Sequence, residues 1–336
     1  MKDVEQPLVT VLTPVYNGAD YLAECIESVL KQTYTNFEYI IVNNCSEDRT
    51  LEIARDYATK DSRIRIHDNE KFVGVIENHN NAFRMMSPKA KYCKVVSADD
   101  FIFPDCIRQM VALAEAHPEV GLVGCYLLAG TRVLCAGLDI NSTAVDGREI
   151  SRATLLGGPY VFGAPTNLLY RSDFVRKKTD FYPHRNPHAD TTACYEVLEQ
   201  SQFGFVHQVL AWARIHSESQ TSNSIKAGTI NVALLGDLFR FGPRYLSKAE
   251  MKHRSAFLMD SYHRVVANAL VEQSDWRKFL RERSDALEAI GIRFRLAKFL
   301  RTFIWMGIKL AIRPKTAARR LYGIGNPEKR FEAKYY

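Results

Sequence analysis

No Gly-x-Gly-x-x-Gly follows the first apolar run of this chain. That argues against a nucleotide-binding oxidoreductase, whose cofactor pyrophosphate needs the close backbone approach those glycines permit. The seven cysteines are scattered and show no Cys-x-x-Cys spacing, which speaks against a zinc site and a disulfide framework alike. They are expected to be reduced thiols, mostly in the core. The N-terminus, Met1 to Pro7, has neither a basic nor an apolar leader region, so no secretory signal is visible and the expected location is the cytoplasm. Acidic residues are missing altogether from Gly291 to Arg320, where nine basic ones stand. The formal charge of the whole chain is +7, so the remainder is close to neutral. A body without a basic face is a poor nucleic-acid binder, and no nucleic-acid partner is expected.

What is present is an ordinary globular composition, 46% hydrophobic and 25% charged over 336 residues, enough for more than one domain. Leu8–Thr13 and Phe37–Val42 are β-branched and apolar, as strands buried on both faces should be. Arg63–His67 alternates like a strand nearer an edge, and Lys94–Ser97 is a fourth. Helical spacing fills the gaps, through Tyr21–Lys31, Leu51–Ala58 and the stretch from Gly74 to about Met86. Asp48 is placed to cap the second of these helices. This alternation predicts a parallel sheet with helices on its faces. Further on, a helix follows Pro104, Val120–Ala129 reads as a strand with Arg132–Ile140 as its hairpin partner, and Asn141–Pro159 reads as loops. Leu168–Arg171 and Val206–Ile215 complete the strands. From Ser222 onward the composition is helical.

Polar interruptions follow each early strand: Tyr16-Asn17, Asn43-Asn44 and Asp99-Asp100. In an open α/β sheet they converge on the carboxyl edge, where ligands bind. Two adjacent carboxylates repel unless a positive group holds them, and a hard divalent cation with oxygen ligands is one solution; a solvated turn is the other.

The stretches Val11–Asn17, Ser28–Tyr34, Ile40–Ser46 with Asp48 and Thr50, and Ser97–Asp100 with Pro104 resemble, in order and spacing, the family 2 glycosyltransferases of GT-A fold. The resemblance implies a Rossmann-like, mostly parallel sheet flanked by helices, with a C-terminal helical extension. Residues 1–105 would be the nucleotide-sugar half, 106–225 the acceptor half, and 226–336 a helical region. The implied activity is inverting transfer of a sugar from a nucleotide diphosphate, UDP above all, to a glycan or lipid-linked hydroxyl, with Mn²⁺ or Mg²⁺. Thr13, Pro14 and Tyr16 would border the nucleotide. Asn44 stands where the family has an aspartate that accepts from uracil. Asp99 would face the ribose or the metal, and Asp100 would bind the metal. Arg214 and His216 would contact the diphosphate or the metal. Asp190 would be the general base, with Glu196 as the alternative base and a helix cap as the plain reading of Asp190. A non-catalytic nucleotide-sugar binder is the rival class, because Ser97, Asn43 and Asn44 replace common carboxylates. The tail over 291–322 reads equally as a basic amphipathic helix on an anionic membrane surface or as a helix docked on the body. Its longest charge-free stretch, Thr302 to Ile308, is far below the roughly 20 residues needed to span a bilayer.

Overall fold

A computed structural model describes residues 6–184, 186, 188–215, 229–270 and 273–312. The chain divides into two compact units, one of Met1–Ser222 with Asp237–Met251 and one of Asn223–Gly236 with Lys252–Tyr336.

The first unit is built on one ten-stranded sheet. Strands β1 (Val9–Val15), β2 (Phe37–Asn43), β3 (Ile64–Asp68) and β4 (Tyr92–Val95) are followed by β5 (Phe101–Ile102), β6 (Val120–Ala129) and β7 (Arg132–Leu134). Then come β8 (Ala144–Val145), β9 (Leu168–Arg171) and β10 (Gln202–Ala213). Their order is β3-β2-β1-β4-β9-β6-β10-β5, with β7 beside β6 and β8 beside β10. From β3 to β4 all pairing is parallel, as the strand and helix alternation requires. β9 then runs antiparallel to both β4 and β6, so the sheet is mixed.

Every residue of β1 is buried, which is why its run is apolar instead of alternating. Helix α1 (Leu22–Leu30) buries Leu22, Cys25, Ile26 and Val29, the spacing of one helical face. α2 (Thr50–Lys60), α3 (Val75–Arg84) and α4 (Cys106–Ala116) follow the later strands. Lys94, at the centre of β4, is fully buried; its Nζ donates to the carbonyls of Leu168, at 3.1 Å, and Thr166.

The stretch 141–159 is not loop throughout. It holds β8 and a helix, α5 (Gly147–Leu156), started by Asp146, whose carboxylate accepts from the Arg148 and Glu149 amides, and stopped by Gly157 at φ 90°. After the short α6 (Ser172–Arg176) comes α7 (Ala189–Leu198). The last strand begins at Gln202, four residues before the expected Val206, and only Arg132–Leu134 of the expected hairpin partner pairs with β6.

Four further helices are α8 (Thr229–Tyr245), α9 (Lys248–Leu270), α10 (Trp276–Glu288) and α11 (Leu296–Ile312). The second unit is held by Leu258, Val266, Leu287 and Phe299, all buried, and by a ring cluster in which His263 meets Phe294 edge-on at 5.6 Å. The Tyr262 hydroxyl donates to the Arg283 carbonyl at 2.8 Å. Among the described residues no helix is long and apolar enough to cross a membrane.

Candidate active site

Because β1, β2 and β4 are parallel neighbours, their ends bring the first three polar tips to one edge. The tips of β1 and β2 are laced together. The Asn17 amide donates to Ser46 Oγ at 2.9 Å, and Asn17 Oδ1 accepts from the Glu47 amide at 2.8 Å. Asp48 accepts from the amides of Ala19 and Thr50, each at 3.0 Å. Asn17 takes φ 48°, a left-handed conformation that asparagine tolerates better than most residues. The interlock fixes the direction of Tyr16, which is 46% exposed.

The predicted nucleotide residues differ in what they offer. Thr13 is fully buried; its hydroxyl donates to the Val96 carbonyl at 2.9 Å and lies 2.9 Å from the Tyr39 hydroxyl, so it braces β1 against β4. Pro14 is also buried, two residues past Leu12, the last β1 residue paired with β4. Tyr16 instead meets Phe72 edge to face at 4.9 Å, and Phe72 is 59% exposed. The sequence reading missed Phe72; the signal was a large aromatic in a polar turn between a strand and a helix. Asn44 is buried, and its carboxamide is paired with Val73 and Asn69.

Past β4, the Asp100 amide closes a turn on the Ser97 carbonyl at 3.0 Å. Asp100 Oδ2 accepts from the Thr166 hydroxyl at 2.6 Å, and Oδ1 accepts from the Arg214 amide at 3.1 Å. Burial, together with the Asp99 carboxylate beside it, pushes Asp100 up to about 7. Arg214 Nε donates to the Asp99 carbonyl at 3.2 Å. Its guanidinium lies over the rings of Tyr21 and Trp212, at 4.5 and 4.7 Å, and pairs with Glu24. Arg214 therefore holds the turn as well as charging it. Each Asp100 oxygen keeps a lone pair beyond its hydrogen bond, and two adjacent carboxylates make the hard oxygen donor set that Mg²⁺ or Mn²⁺ prefers. The residues fit such a cation. His216 lies outside the described residues.

A second acidic group, Glu77 and Asp180 with His184, also has metal-like spacing. There Arg84 reaches Glu77 at 3.0 Å and pairs with Asp180, so a side-chain cation already stands between the carboxylates.

Asp190 sits inside the first turn of α7 and is not its cap; the cap is His188. Burial raises its pKa, against the opposing pull of His188, the Thr191 amide and His79. His79, on α3, is stacked on Tyr182 at 5.5 Å and was not anticipated from sequence. Behind Asp190, the Thr192 hydroxyl donates to Asp237 at 2.6 Å. Glu196 lies between Lys178, 2.5 Å away, and Arg240. Two cations already occupy its carboxylate, which leaves Asp190 the better placed of the two.

An open α/β sheet carrying an acidic turn and an exposed aromatic corner on its carboxyl edge is the arrangement of a GT-A type glycosyltransferase domain. The chain belongs to glycosyltransferase family 2, whose model, "Glycosyl transferase family 2", matches residues 10–177. It is 36% identical over 232 residues to the uncharacterized glycosyltransferase RT0329 of Rickettsia typhi, covering 65% of this chain and 67% of that protein. Of two other curated glycosyltransferase relatives it spans about a third and a half of the length. Among solved structures it is similar to S. aureus TarS 1–349 in complex with UDP-GlcNAc, with TM-score 0.54, 18% identity and coverage of 84% of this chain and 90% of that one. It is also similar to the Pyrobaculum calidifontis mannosyltransferase PcManGT in complex with GDP-Man and Mn2+, with TM-score 0.56, 16% identity and coverage of 92% and 87%.

Proposed function

We propose that this glycosyltransferase moves a sugar from a nucleoside diphosphate to a hydroxyl of a glycan or lipid-linked acceptor, inverting the anomeric centre. The observation that carries the reading is the Asp99-Asp100 turn, held at the carboxyl edge by Thr166 and Arg214. A divalent cation on Asp100, with Asp99 beside it, would neutralise charge developing on the leaving diphosphate. Tyr16, braced edge to face by Phe72, would offer an aromatic surface to the base, and His216 would serve the diphosphate or the metal. Asp190 would take the proton from the acceptor hydroxyl as that oxygen forms its bond to the anomeric carbon and the bond to the diphosphate breaks. Burial raises its pKa above the ordinary carboxylate value, which makes it a stronger base than a solvated aspartate. TarS and PcManGT, solved with UDP-GlcNAc and with GDP-Man and Mn2+, support a nucleotide-sugar donor and a metal. A role in surface glycan synthesis on the cytoplasmic side belongs to the same proposal.

The basic, apolar-faced α11 supports peripheral contact with an anionic membrane. Leu300, Ile304, Trp305 and Ile308 are exposed there, alongside Lys298 and Arg301.

The deciding experiment is a thermal-shift screen of UDP, GDP, CDP and dTDP sugars with and without Mn²⁺, followed by a transfer assay on the best donor. A rise in melting temperature that needs both nucleotide and metal is expected. No shift with any donor, at saturating metal, would overturn the reading.

A further inference from the structure

Asn44 stands where the resemblance implies a base-reading aspartate, yet its oxygen and one of its amide hydrogens are already used. Nδ2 donates to the Val73 carbonyl at 2.8 Å while Oδ1 accepts from the Val73 amide at 3.0 Å. Oδ1 also accepts from Asn69 Nδ2 at 3.0 Å, so both of its lone pairs are used. The two-point pair with Val73 has the donor and acceptor pattern that a nucleobase edge would present; a backbone segment takes it instead. An aspartate could not replace Asn44 here, because a carboxylate oxygen would face the Val73 carbonyl with no hydrogen between them. The network continues inward. Asn69 Nδ2 also reaches Asn78 Oδ1 at 2.9 Å, the Asn69 amide donates to the Asn43 carbonyl at 2.9 Å, and Asn69 Oδ1 accepts from Asn81 at 3.2 Å. Asn43, Asn44, Asn69 and Asn78 are all buried. Releasing one amide would leave buried partners unsatisfied, so the network is self-enforcing.

We propose that Asn44 is the latch of the 69–74 loop and not a base reader. With the loop latched, Phe72 is held edge to face against Tyr16 at 4.9 Å, the two rings form one exposed aromatic corner, and the nucleobase is taken by its face against it. Every base has a π-face, so stacking tolerates all of them, and the site discriminates little between uracil, cytosine, guanine and thymine. The second half of this inference rests on the nucleotide-sugar reading above; the latch itself does not.

Two measurements test it. Backbone hydrogen exchange across residues 69–74 is compared for the parent, Asn44→Ala and Asn44→Asp. Titration calorimetry of UDP, CDP, GDP and dTDP in Mn²⁺ is compared for the parent, Asn44→Ala and Phe72→Ala. Exchange at the Val73 amide should accelerate at least about tenfold in both Asn44 variants, since its acceptor is lost or its loop repelled. The four nucleotides should bind the parent within about tenfold of one another, and Phe72→Ala should weaken all of them alike, by about tenfold. Phe72 is exposed, so this variant should fold even if an Asn44 variant does not. Unchanged exchange at Val73 in a folded Asn44 variant would overturn the latch. A preference for UDP of about a hundredfold that Asn44→Ala abolishes would make Asn44 the reader after all. If no nucleotide binds the parent while the exchange effect is present, the latch stands and the donor reading falls.

Discussion

The backbone amide of Arg214 donates to Oδ1 of Asp100 at 3.1 Å, joining residues 114 positions apart. The approach is set by the antiparallel pairing of β5 with β10, in which Trp212 opposes Phe101 and stacks on it at 4.7 Å. The acidic turn is thus oriented by the last strand of the sheet, and its chemistry depends on contacts the local sequence does not contain.

Thr166→Val should move the acid limb of metal-dependent transfer upward in pH. The hydroxyl favours the ionised form of Asp100, which burial already pushes up to about 7. Losing that donor raises the pKa further, so the carboxylate becomes available only at higher pH. We expect a displacement of roughly one pH unit, with the rate on the alkaline plateau largely kept. Rate profiles from pH 5.5 to 9 at saturating Mn²⁺ check it; coincident acid limbs would contradict it.

Asp190→Asn should lower kcat by about 10²–10⁴-fold while leaving donor affinity nearly unchanged, because a base acts in the transition state. The amide keeps the shape, can still accept from the first-turn amides of α7 and removes a buried charge, so the melting temperature should not fall. Glu196→Gln is the contrast: it weakens pairs to Lys178 and Arg240 and should cost stability while transfer persists. Active Asp190→Asn beside inactive Glu196→Gln would reassign the base.

Asp237→Asn should stabilise the protein at high pH and much less at low pH. Burial pushes Asp237 up to about 7, against the opposing Thr192 hydrogen bond, so the folded chain holds this proton more tightly than the unfolded one. Its contribution is intact below about pH 4, declines as pH rises, and is lost above about pH 7. The amide never ionises and still accepts from Thr192. Each pK unit corresponds to about 1.4 kcal/mol, so the difference between pH 5 and pH 8 should be of order 1–3 kcal/mol. Urea melts at the two pH values measure it, and parallel curves for parent and variant would refute it.

Ile304→Asp should reduce co-sedimentation with anionic vesicles, since Ile304 is 59% exposed on the apolar side of α11. Binding of the parent should also weaken in high salt, each basic side chain near the surface contributing about 1 kcal/mol. Equal binding to neutral and anionic vesicles would remove the electrostatic part of this reading.

The first four strands were legible because each is short, apolar or alternating, and bounded by polar tips, and because a parallel βαβ pattern carries its topology locally. β9 was legible as a strand but not as the antiparallel partner of both β4 and β6, a placement decided by distant residues. Helix α5 was overlooked although Asp146 and Gly157 mark its ends; Ile150, Ser151, Thr154 and Leu155 make too polar a buried face to stand out. At the site, the carboxylates could be named from their strand ends. Their donors could not: Thr166 and the Arg214 amide arrive from separate segments, and Tyr16 gains Phe72 only through the fold. Thr13 shows the reverse difficulty, a polar residue of the motif whose hydroxyl is used entirely inside the sheet.

Lys94 makes the two halves of the sheet dependent on each other. Its amine reaches carbonyls that belong to a segment made more than seventy residues later in synthesis. Until that segment docks, an apolar strand core would enclose a polar tip with no acceptor, a state that costs several kcal/mol. The emerging N-terminal portion should therefore stay open on the ribosome and close only when β9 slots in beside β4. The two sides of the sheet, and the acidic turn that β4 leads into, would then appear in one cooperative step.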